Sequence, residues 1–568
     1  MALYPSFFKC SDYFTGASPL ALASVSPSTR EWCECHKDGV LGCTYDREGR
    51  HVLTFPPSSN GGQLSFLRWW LARQGQPPLR IDVGFSGEDA ISMDRMCTIK
   101  TLMQQLLKDG VYFTLKLSFR DVKSLRGFTD LFPYSEELFL HRCDVPPFGE
   151  PGIFPLLRTV ELSNCSGAPS LNPLNTDVNV ISAKFSSCSS VDSLDALINI
   201  QYIREVCIED YRMVNTDCLR GCSLLKSVSV SRCGGLASLD GLSELSYLAK
   251  LCARDSGVRS IGALTHCSML ESVDVSDCKQ LSSLEGLSGL PYLRRVDARG
   301  SNISSLDGLR GCRQLEYVAA SRCEHLVSLS GLSQLENLRT LYASETNITD
   351  VDALRTCHML EFISLIDSRM LTSVDGLGGL LHLKQLGLCG HRLATVDALK
   401  HCPALVTVDV SCGRDLISLD GLSGLQHLTC VHASGTGIQN VQSLQSCPML
   451  ELVNVNSCGD LTSLDGLSGL RNLSHVNAHG TAVTNLDALR GCPALEYVAV
   501  GGCERLISVE GLSGLGNLRH VYASNTSITS VDALSSCPAL EYVDVSYCHQ
   551  LPSVDSLLSI RGIRVKFT

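Results

Sequence analysis

Cysteine is the residue type in this sequence with the greatest capacity for chemistry, and the chain has 28 of them. In a short secreted protein this number would predict disulfides. Here a regular spacing places most of them: Cys222, Cys267 and Cys312 lie 45 residues apart, and the series continues. Met1 to Arg30 lacks the basic start and apolar run of a secretory signal. We therefore expect free thiols in a reducing intracellular compartment. The cytoplasm fits best, and the nucleus and mitochondrion stay open.

A small group of potential zinc ligands lies near the N-terminus. Its members are Cys33, Cys35, His36 and Cys43. Their spacing, Cys-x-Cys-His-x6-Cys, matches no common zinc finger, and a second pair of ligands is missing. Reduced thiols without a metal are the simpler interpretation, and a zinc site is the alternative.

Histidines and acidic residues also recur, but not in patterns that bind metals. His475 and His520 occupy equivalent places two turns apart, about 10 Å from each other, which is too far to share a zinc ion. Acids such as Asp307 and Asp352 recur once per turn, whereas calcium needs several oxygens around one ion. The sequence contains no Gly-rich phosphate loop, nucleophile elbow or zinc-protease helix. We predict no metal, no cofactor and no enzymatic activity.

Composition excludes further classes of protein. The chain has 568 residues, of which 44% are hydrophobic and 18% charged, so it is not a mostly disordered protein. No apolar run reaches the ~18 residues of a membrane-spanning helix. The net charge of -11 makes nucleic acid an unlikely partner, because a phosphate backbone would be repelled on average. No motif indicates a small-molecule substrate, so a protein partner is the remaining expectation.

The elements that must position these residues are short repeats. Each 45-residue unit divides into halves of 22 or 23 residues, and one half reads Leu293-x-x-Val296-x-Ala298-x-x-Ser301-x-Ile303. Both halves fit the template L-x-x-L-x-L-x-x-N/C-x-L. The chain therefore resembles leucine-rich repeat proteins, at least from Leu157 to Thr568. The Cys-type loops and the phrase Ser-Leu-Asp-Gly-Leu-Ser-Gly-Leu resemble repeat proteins of kinetoplastid parasites.

The template predicts an α/β leucine-rich repeat solenoid, shaped as an arc or horseshoe. Val296 and Ala298 are two apart and so point inward from one strand, and parallel strands line the concave face. Leu306 and Leu309 are three apart, which suits a short helical or 3-10 turn on the convex face. We expect a divergent N-terminal cap over 1–110, with a helix near 62–73. The solenoid follows over 111–568, with regular 45-residue double repeats from about 180.

Position 9 of the template alternates between a hydroxyl and a thiol. Ser301 and Thr346 represent one half-repeat, and Cys278 and Cys323 the other. Either group can donate a hydrogen bond to a buried carbonyl, the thiol weakly. The acids, in turn, fall where a short helix should begin, where unpaired N–H groups favour an anion. Around Ile363 to Leu416 the pattern is interrupted: His391 replaces the hydroxyl, Gly413 the thiol, and Cys412 is displaced by one.

The outward template positions 3, 5, 7 and 8 predict the binding surface. Aromatic and polar side chains recur there, and exposed aromatics with few charges are enriched in interface cores. The predicted contact residues are Tyr317, Tyr342, Phe362, His432, Leu452, His475, Asn477, Tyr497, His520, Tyr522 and Tyr542. We expect a non-catalytic scaffold that binds a protein partner on this concave surface. The alternatives are a substrate-recognition adaptor, as in ubiquitin ligation, and a structural subunit of a large protein or ribonucleoprotein assembly.

Overall fold

The computed structural model describes residues 42–45, 51–55, 79–87, 90–144, 152–166, 179–188, 197, 200–209 and 212–567. The chain divides into two compact units, Met1–Cys252 and Ala253–Thr568, which we call unit 1 and unit 2. The predicted helix near 62–73 and residues Cys33, Cys35 and His36 lie outside the described residues, and only the backbone is described for Cys43.

Unit 1 is built on a largely parallel sheet. Its strands are β1 Gly42–Tyr45, β2 His51–Phe55, β3 Leu79–Ser86, β4 Phe113–Arg120, β5 Ser135–His141, β6 Thr159–Ser163, β7 Ser182–Ser186, β8 Glu205–Glu209, β9 Ser227–Ser229 and β10 Lys250–Cys252. Strand β1 pairs antiparallel with β2, and each later strand pairs in parallel with the one before it. Parallel pairing is thus already established before residue 111.

One long helix, α1 Ala90–Lys108, lies between β3 and β4. Its described buried side chains are Met96, Ile99, Leu102, Met103 and Leu106. Their spacing of three and four residues places them on one face, which is how a helix covers one side of a sheet. Among the described residues of this unit, further helical segments are the 3-10 helices Arg126–Tyr134, Asp217–Leu219 and Asp240–Leu242.

Unit 2 repeats one turn of chain many times. Its strands are β11 Ser272–Asp274, β12 Arg295–Asp297, β13 Tyr317–Ala319, β14 Thr340–Tyr342, β15 Phe362–Ser364, β16 Gln385–Gly387, β17 Thr407–Asp409, β18 Cys430–His432, β19 Leu452–Asn454, β20 His475–Asn477, β21 Tyr497–Ala499, β22 His520–Tyr522, β23 Tyr542–Asp544 and β24 Arg564–Lys566. Every neighbouring pair from β11 to β24 is parallel and in register. Val296 and Ala298 are buried, at 0% and 1% exposure, so the inward positions are confirmed.

Short helices alternate with these strands. They are Gly262–His266, Glu285–Leu287, Asp307–Leu309, Ser330–Leu332, Asp352–Thr356, Asp375–Leu377, Asp397–His401, Asp420–Leu422, Gln442–Ser446, Asp465–Leu467, Asp487–Gly491, Glu510–Leu512 and Asp532–Ser536, all 3-10, and the final α-helix α2 Asp555–Leu558. The recurring acid is the first residue of most of them, as predicted. Its N–H, however, is satisfied by a side chain two residues earlier: Ser463 Oγ accepts from the Asp465 N–H at 3.0 Å.

Glycine is required where one short helix touches the turn before it. A Cβ added to Gly331 would lie 2.0 Å from the carbonyl oxygen of Leu306, and one added to Gly466 would lie 2.0 Å from that of Val441. Real Cβ atoms do not approach backbone so closely. The recurring Asp-Gly-Leu phrase is therefore explained by backbone packed directly on backbone.

The alternating hydroxyls and thiols form a buried ladder. Thr481 Oγ1 donates to the carbonyl of Ala478 in its own turn at 2.8 Å. The thiol of Cys503, one turn later, donates to the same carbonyl at 3.1 Å. Cys278 and Cys323 make the equivalent bonds to Ala253 and Ala298. Each of these carbonyls thus accepts one hydrogen bond from a hydroxyl and one from a thiol, which confirms the predicted role of position 9.

A second column of buried cysteines has the same structural character. Cys357 donates to the carbonyl of Leu332 at 3.2 Å, and Cys402 donates to that of Leu377 at 3.1 Å. Burial raises the pKa of Cys357 to about 11. A thiol that stays protonated at neutral pH is a poor nucleophile and a poor metal ligand. These cysteines therefore serve packing.

Candidate functional site

The exposed side of the unit 2 sheet is the candidate site, and we call it the strand face. On each strand from β11 to β23 the first and third residues point outward while the middle one is buried, as in β20, where Val476 separates His475 and Asn477. All the sequence-predicted contact residues lie on this face. None of them is fully buried; His475 is exposed and the others are half-buried.

Three aromatic rings on β13 to β15 pack into one cluster, which we call triad 1. Tyr342 lies between Tyr317 and Phe362, with ring centroids 5.8 and 4.8 Å apart. The guanidinium of Arg295, on β12, stacks over the Tyr317 ring at 3.6 Å from its centroid. Because the rings pack against one another, each limits the rotamers open to its neighbours, while all three still present apolar surface to solvent.

Triad 2 repeats this arrangement on β21 to β23. Tyr522 lies between Tyr497 and Tyr542, with both pairs of ring centroids 5.2 Å apart. The imidazole of His475 stacks on the Tyr497 ring, with ring centroids 5.7 Å apart. It occupies the position beside triad 2 that Arg295 has beside triad 1. Burial raises the pKa of the Tyr497 hydroxyl above its ordinary value.

The two triads are copies of one module. Tyr497, Tyr522 and Tyr542 follow Tyr317, Tyr342 and Phe362 by 180 residues each, which is four 45-residue units. Small residues, Ala319 and Ala499, recur at the same spacing beside the central tyrosines. Eight strand intervals of ~4.8 Å separate the triads by about 38 Å along the sheet. The repeat pattern predicted the aromatics as one stripe, and this duplication was not part of that prediction.

The surface between the triads is mainly polar. It carries Asp409, His432, Leu452 and Asn477 on successive strands. The His432 ring contacts the Cys430 thiol on its own strand, with Nε2 and Sγ 3.2 Å apart. Leu452 is the one large aliphatic residue among the predicted contact residues between the triads. Because Asp409, His432, Leu452 and Asn477 do not stack on either triad, they form a separate surface.

Ion pairs join residues that directly precede the strands of each triad. Arg339 pairs with Glu361 at 2.6 Å beside triad 1, and Arg519 pairs with Glu541 at 2.9 Å beside triad 2. Hydrogen bonds from Lys384 and Arg339 hold the pKa of Glu361 below its usual value. These pairs are largely exposed, so they contribute little to stability.

The interruption of the repeat lies between the triads. The His391 ring is buried, at 4% exposure, and its Nδ1 accepts a hydrogen bond from the Leu393 N–H at 3.1 Å. A Cβ at position 413 would lie 2.1 Å from the His391 Cε1 atom, so only glycine fits there. Burial lowers the pKa of His391 to about 4. The histidine thus occupies the space that a cysteine takes in the regular repeats.

Unit 1 has a cleft on the exposed side of its own sheet, which the sequence analysis missed. Its volume is about 530 Å³, and its lining includes Lys116, Arg120, Phe139, His141 and Glu161. The Lys116 ammonium lies 4.7 Å from the centroid of the Phe139 ring. The regular double repeats begin only at about residue 180, so the sequence before that point gave no outward pattern from which the cleft could have been found.

The described residues do not form a metal site or a membrane-spanning helix. Within the ranges given above, no group of three or more His, Cys, Asp or Glu side chains is placed to hold a metal ion. In the same ranges, no helix combines the length and the apolar character needed to cross a membrane.

No protein-family model matches this chain, and no curated protein matches it. Several solved structures are similar. Toll from Drosophila, in its complex with Spatzle, has a TM-score of 0.58 at 13% identity over 94% of this chain and 73% of that one. The ectodomain of the Arabidopsis receptor kinase GASSHO1/SCHENGEN3 gives 0.52 at 14% identity, covering 93% and 75%. A leucine-rich repeat protein of Leptospira interrogans gives 0.51 at 13% identity, covering 78% and 99%. The parallel strands, the 3-10 turns and these likenesses together show that the chain has the leucine-rich repeat solenoid fold.

Proposed function

We propose that this protein is a non-catalytic scaffold that binds a protein partner on the strand face of unit 2. The observation that carries the proposal is the duplicated aromatic triad. Tyrosine is enriched among the residues that dominate binding energy at protein interfaces. Two rigid clusters of such rings, about 38 Å apart along the sheet, fit a partner that contacts both.

The packing of the rings supports an interface in a second way. Binding usually costs the ordering of exposed side chains, about 0.5–1.5 kcal/mol for each rotamer-rich group. Tyr342 and Tyr522 are already fixed between neighbouring rings, at centroid distances of 4.8 to 5.8 Å. Much of this ordering is therefore present before a partner arrives.

The test compares capture of proteins by the wild type and by variants of each triad. One variant carries Tyr317→Ala, Tyr342→Ala and Phe362→Ala, another carries Tyr497→Ala, Tyr522→Ala and Tyr542→Ala, and a third combines all six. A partner identified with the wild type by quantitative mass spectrometry is then purified and its affinity is measured. We expect each triple variant to weaken binding by about 30-fold or more, since a hot spot contributes about 2 kcal/mol or more.

Tyr292→Ala is the matched control, because this tyrosine is 51% exposed and lies in the turn before β12, off the strand face. It should bind the partner as the wild type does. If the control and all triad variants retained equal affinity, the strand face would not be the interface. Circular dichroism of each variant should match the wild type, since the substituted rings lie outside the core.

The predictions of location, of the narrower resemblance and of an adaptor role are also kept as proposals. An intracellular, most simply cytoplasmic, location is supported by the free thiols of the described cysteines. The narrower kinship with Cys-type repeat proteins of kinetoplastid parasites is supported by the Asp-Gly-Leu phrase and the cysteine loops. The adaptor alternative assigns docking to Met1 to Gln76, which is mainly outside the described residues.

A further inference from the structure

The interruption of the repeat brings two cysteines to the surface. In the regular repeats a thiol at the position of Gly413 is buried, as with Cys458 one double repeat later. Because the His391 ring fills that space, the cysteine stands one residue earlier, and Cys412 is exposed. Cys389, one turn before it, is half-buried. Neither side chain takes part in the buried ladder.

Contacts at equivalent positions elsewhere indicate that these two side chains are within reach of each other. Residues 209 and 232 precede 389 and 412 by four double repeats, and there the Glu209 carboxylate pairs with the Arg232 guanidinium at 2.9 Å. Three double repeats before Cys389 and Cys412, Arg254 and Asp277 approach to 3.9 Å.

The backbone is also the same at these sites. The second residue of each pair has a left-handed conformation, with φ of 56° for Arg232, 59° for Asp277 and 61° for Cys412. The Gly390 N–H donates to the Ser411 carbonyl at 2.9 Å, just as the Asp255 N–H donates to that of Ser276 at 2.8 Å. Where two other double repeats place an ion pair, this one places two thiols.

The spacing suits a covalent bond. Adjacent parallel strands lie ~4.8 Å apart and rise ~3.3 Å per residue, so Cα atoms offset by one residue are about 6 Å apart. Disulfides span Cα distances of about 4.4–6.8 Å. The two cysteines therefore need little backbone movement to bond.

We propose that Cys389 and Cys412 form a reversible thiol–disulfide site, whose co-reactant is a low-molecular-weight disulfide such as oxidised glutathione. The exposed Cys412 thiolate attacks one glutathione sulfur, giving a mixed disulfide and releasing one glutathione. Cys389 then loses its proton and attacks the Cys412 sulfur, which releases the second glutathione. Two protein thiols are oxidised, and one glutathione disulfide is reduced to two thiols.

The surroundings of Cys389 assign the first attack to Cys412. Burial, and then the hydrogen bond with the Cys412 thiol, raise the pKa of Cys389 to about 12. It faces Asp409 and Asp367 as well, and both carboxylates disfavour its thiolate. Cys412 is the more accessible sulfur, so it reacts first.

The experiment uses the full-length reduced protein, incubated under native conditions with oxidised glutathione. Free thiols are then alkylated and the digested protein is mapped by mass spectrometry, which assigns every cysteine separately. We expect a Cys389–Cys412 crosslink that dithiothreitol reverses. The buried Cys278 and Cys323 should be alkylated only after unfolding. A wild type in which Cys412 stops at the mixed disulfide, or in which both thiols stay free, would overturn the proposal.

Variants separate the two roles. Cys389→Ser should accumulate the mixed disulfide at Cys412, and Cys412→Ser should leave Cys389 mostly unmodified. Cys430 is the matched control, because it is half-buried on the same face but lies in register with Thr407 and Leu452, which carry no thiol. If Cys430 crosslinked to Cys389 or Cys412 as readily as they do to each other, the pairing would not be specific.

Discussion

Substitution of Gly466 by alanine tests how closely the backbones of successive turns approach each other. In Gly466→Ala the new Cβ would lie 2.0 Å from the Val441 carbonyl oxygen, 2.4 Å from its carbon and 2.6 Å from the Gln442 Cα. Ordinary contact begins at 3.4 Å, so the two turns must separate by more than about 1 Å. All three atoms are backbone, and no side-chain rotation can relieve the overlap.

The cost should lie at the upper end of the range for overpacking, about 3 kcal/mol or more. We expect the urea midpoint, followed by far-ultraviolet circular dichroism, to fall by roughly 1 M for a denaturant slope of about 3 kcal/mol/M. Because repeats contact only their neighbours, the transition should also broaden as the array divides at this turn.

Gly459→Ala is the control within the same repeat. A Cβ there meets nothing within 4 Å, and its φ lies outside the left-handed range. Its midpoint should equal or slightly exceed that of the wild type, since alanine lowers the entropy of the unfolded chain. Equal midpoints for the two alanine variants would refute the argument that backbone contact dictates glycine in the Asp-Gly-Leu phrase.

Two further predictions concern the interior of unit 2. Thr481→Val keeps the side-chain shape but removes the 2.8 Å bond to the Ala478 carbonyl. It should lower the free energy of unfolding by about 1 kcal/mol in urea titrations, because Cys503 still donates to that carbonyl. The pKa of His391 is lowered to about 4 by burial, whereas the unfolded chain binds a proton below about 6.5. Stability should therefore fall as the pH drops from about 6.5 towards 4, by about 2 kcal/mol between pH 7 and 5. The His391→Gln variant should lack this fall in stability between pH 7 and 5. An unchanged dependence of stability on pH in that variant would contradict its attribution to His391.

The repeat template predicted much of unit 2 because its logic is local. Alternate residues of a strand face opposite sides, so Val296 and Tyr317 could be assigned to the core and the surface from spacing alone. It also predicted that Thr481 would bond a buried carbonyl, although not that Cys503 would share the same one.

What the template could not predict depends on contacts between turns. The need for glycine at 466, the stacking of Tyr342 between two rings and the exchange of volume between His391 and Gly413 all arise from neighbours 20 or more residues away. The duplication of the triads was readable from the sequence, as a period of 180 residues superimposed on that of 45. The cleft in unit 1 had no comparable signal.

The buried ladder also constrains how a chain of this kind changes length. In the regular repeats each accepting carbonyl bonds a hydroxyl from its own turn and a thiol from the next, as Ala478 does with Thr481 and Cys503. Ala343, next to the interruption, instead accepts from the hydroxyls of Thr346 and Ser368. Loss of a single 22- or 23-residue turn would set like groups against each other, whereas gain or loss of 45 residues restores the alternation. Tandem copying of a two-turn cassette is therefore the step that leaves the interior intact. Such copying carries surface side chains with it, so a gene that lengthens in this way multiplies its recognition elements as a by-product of preserving its core.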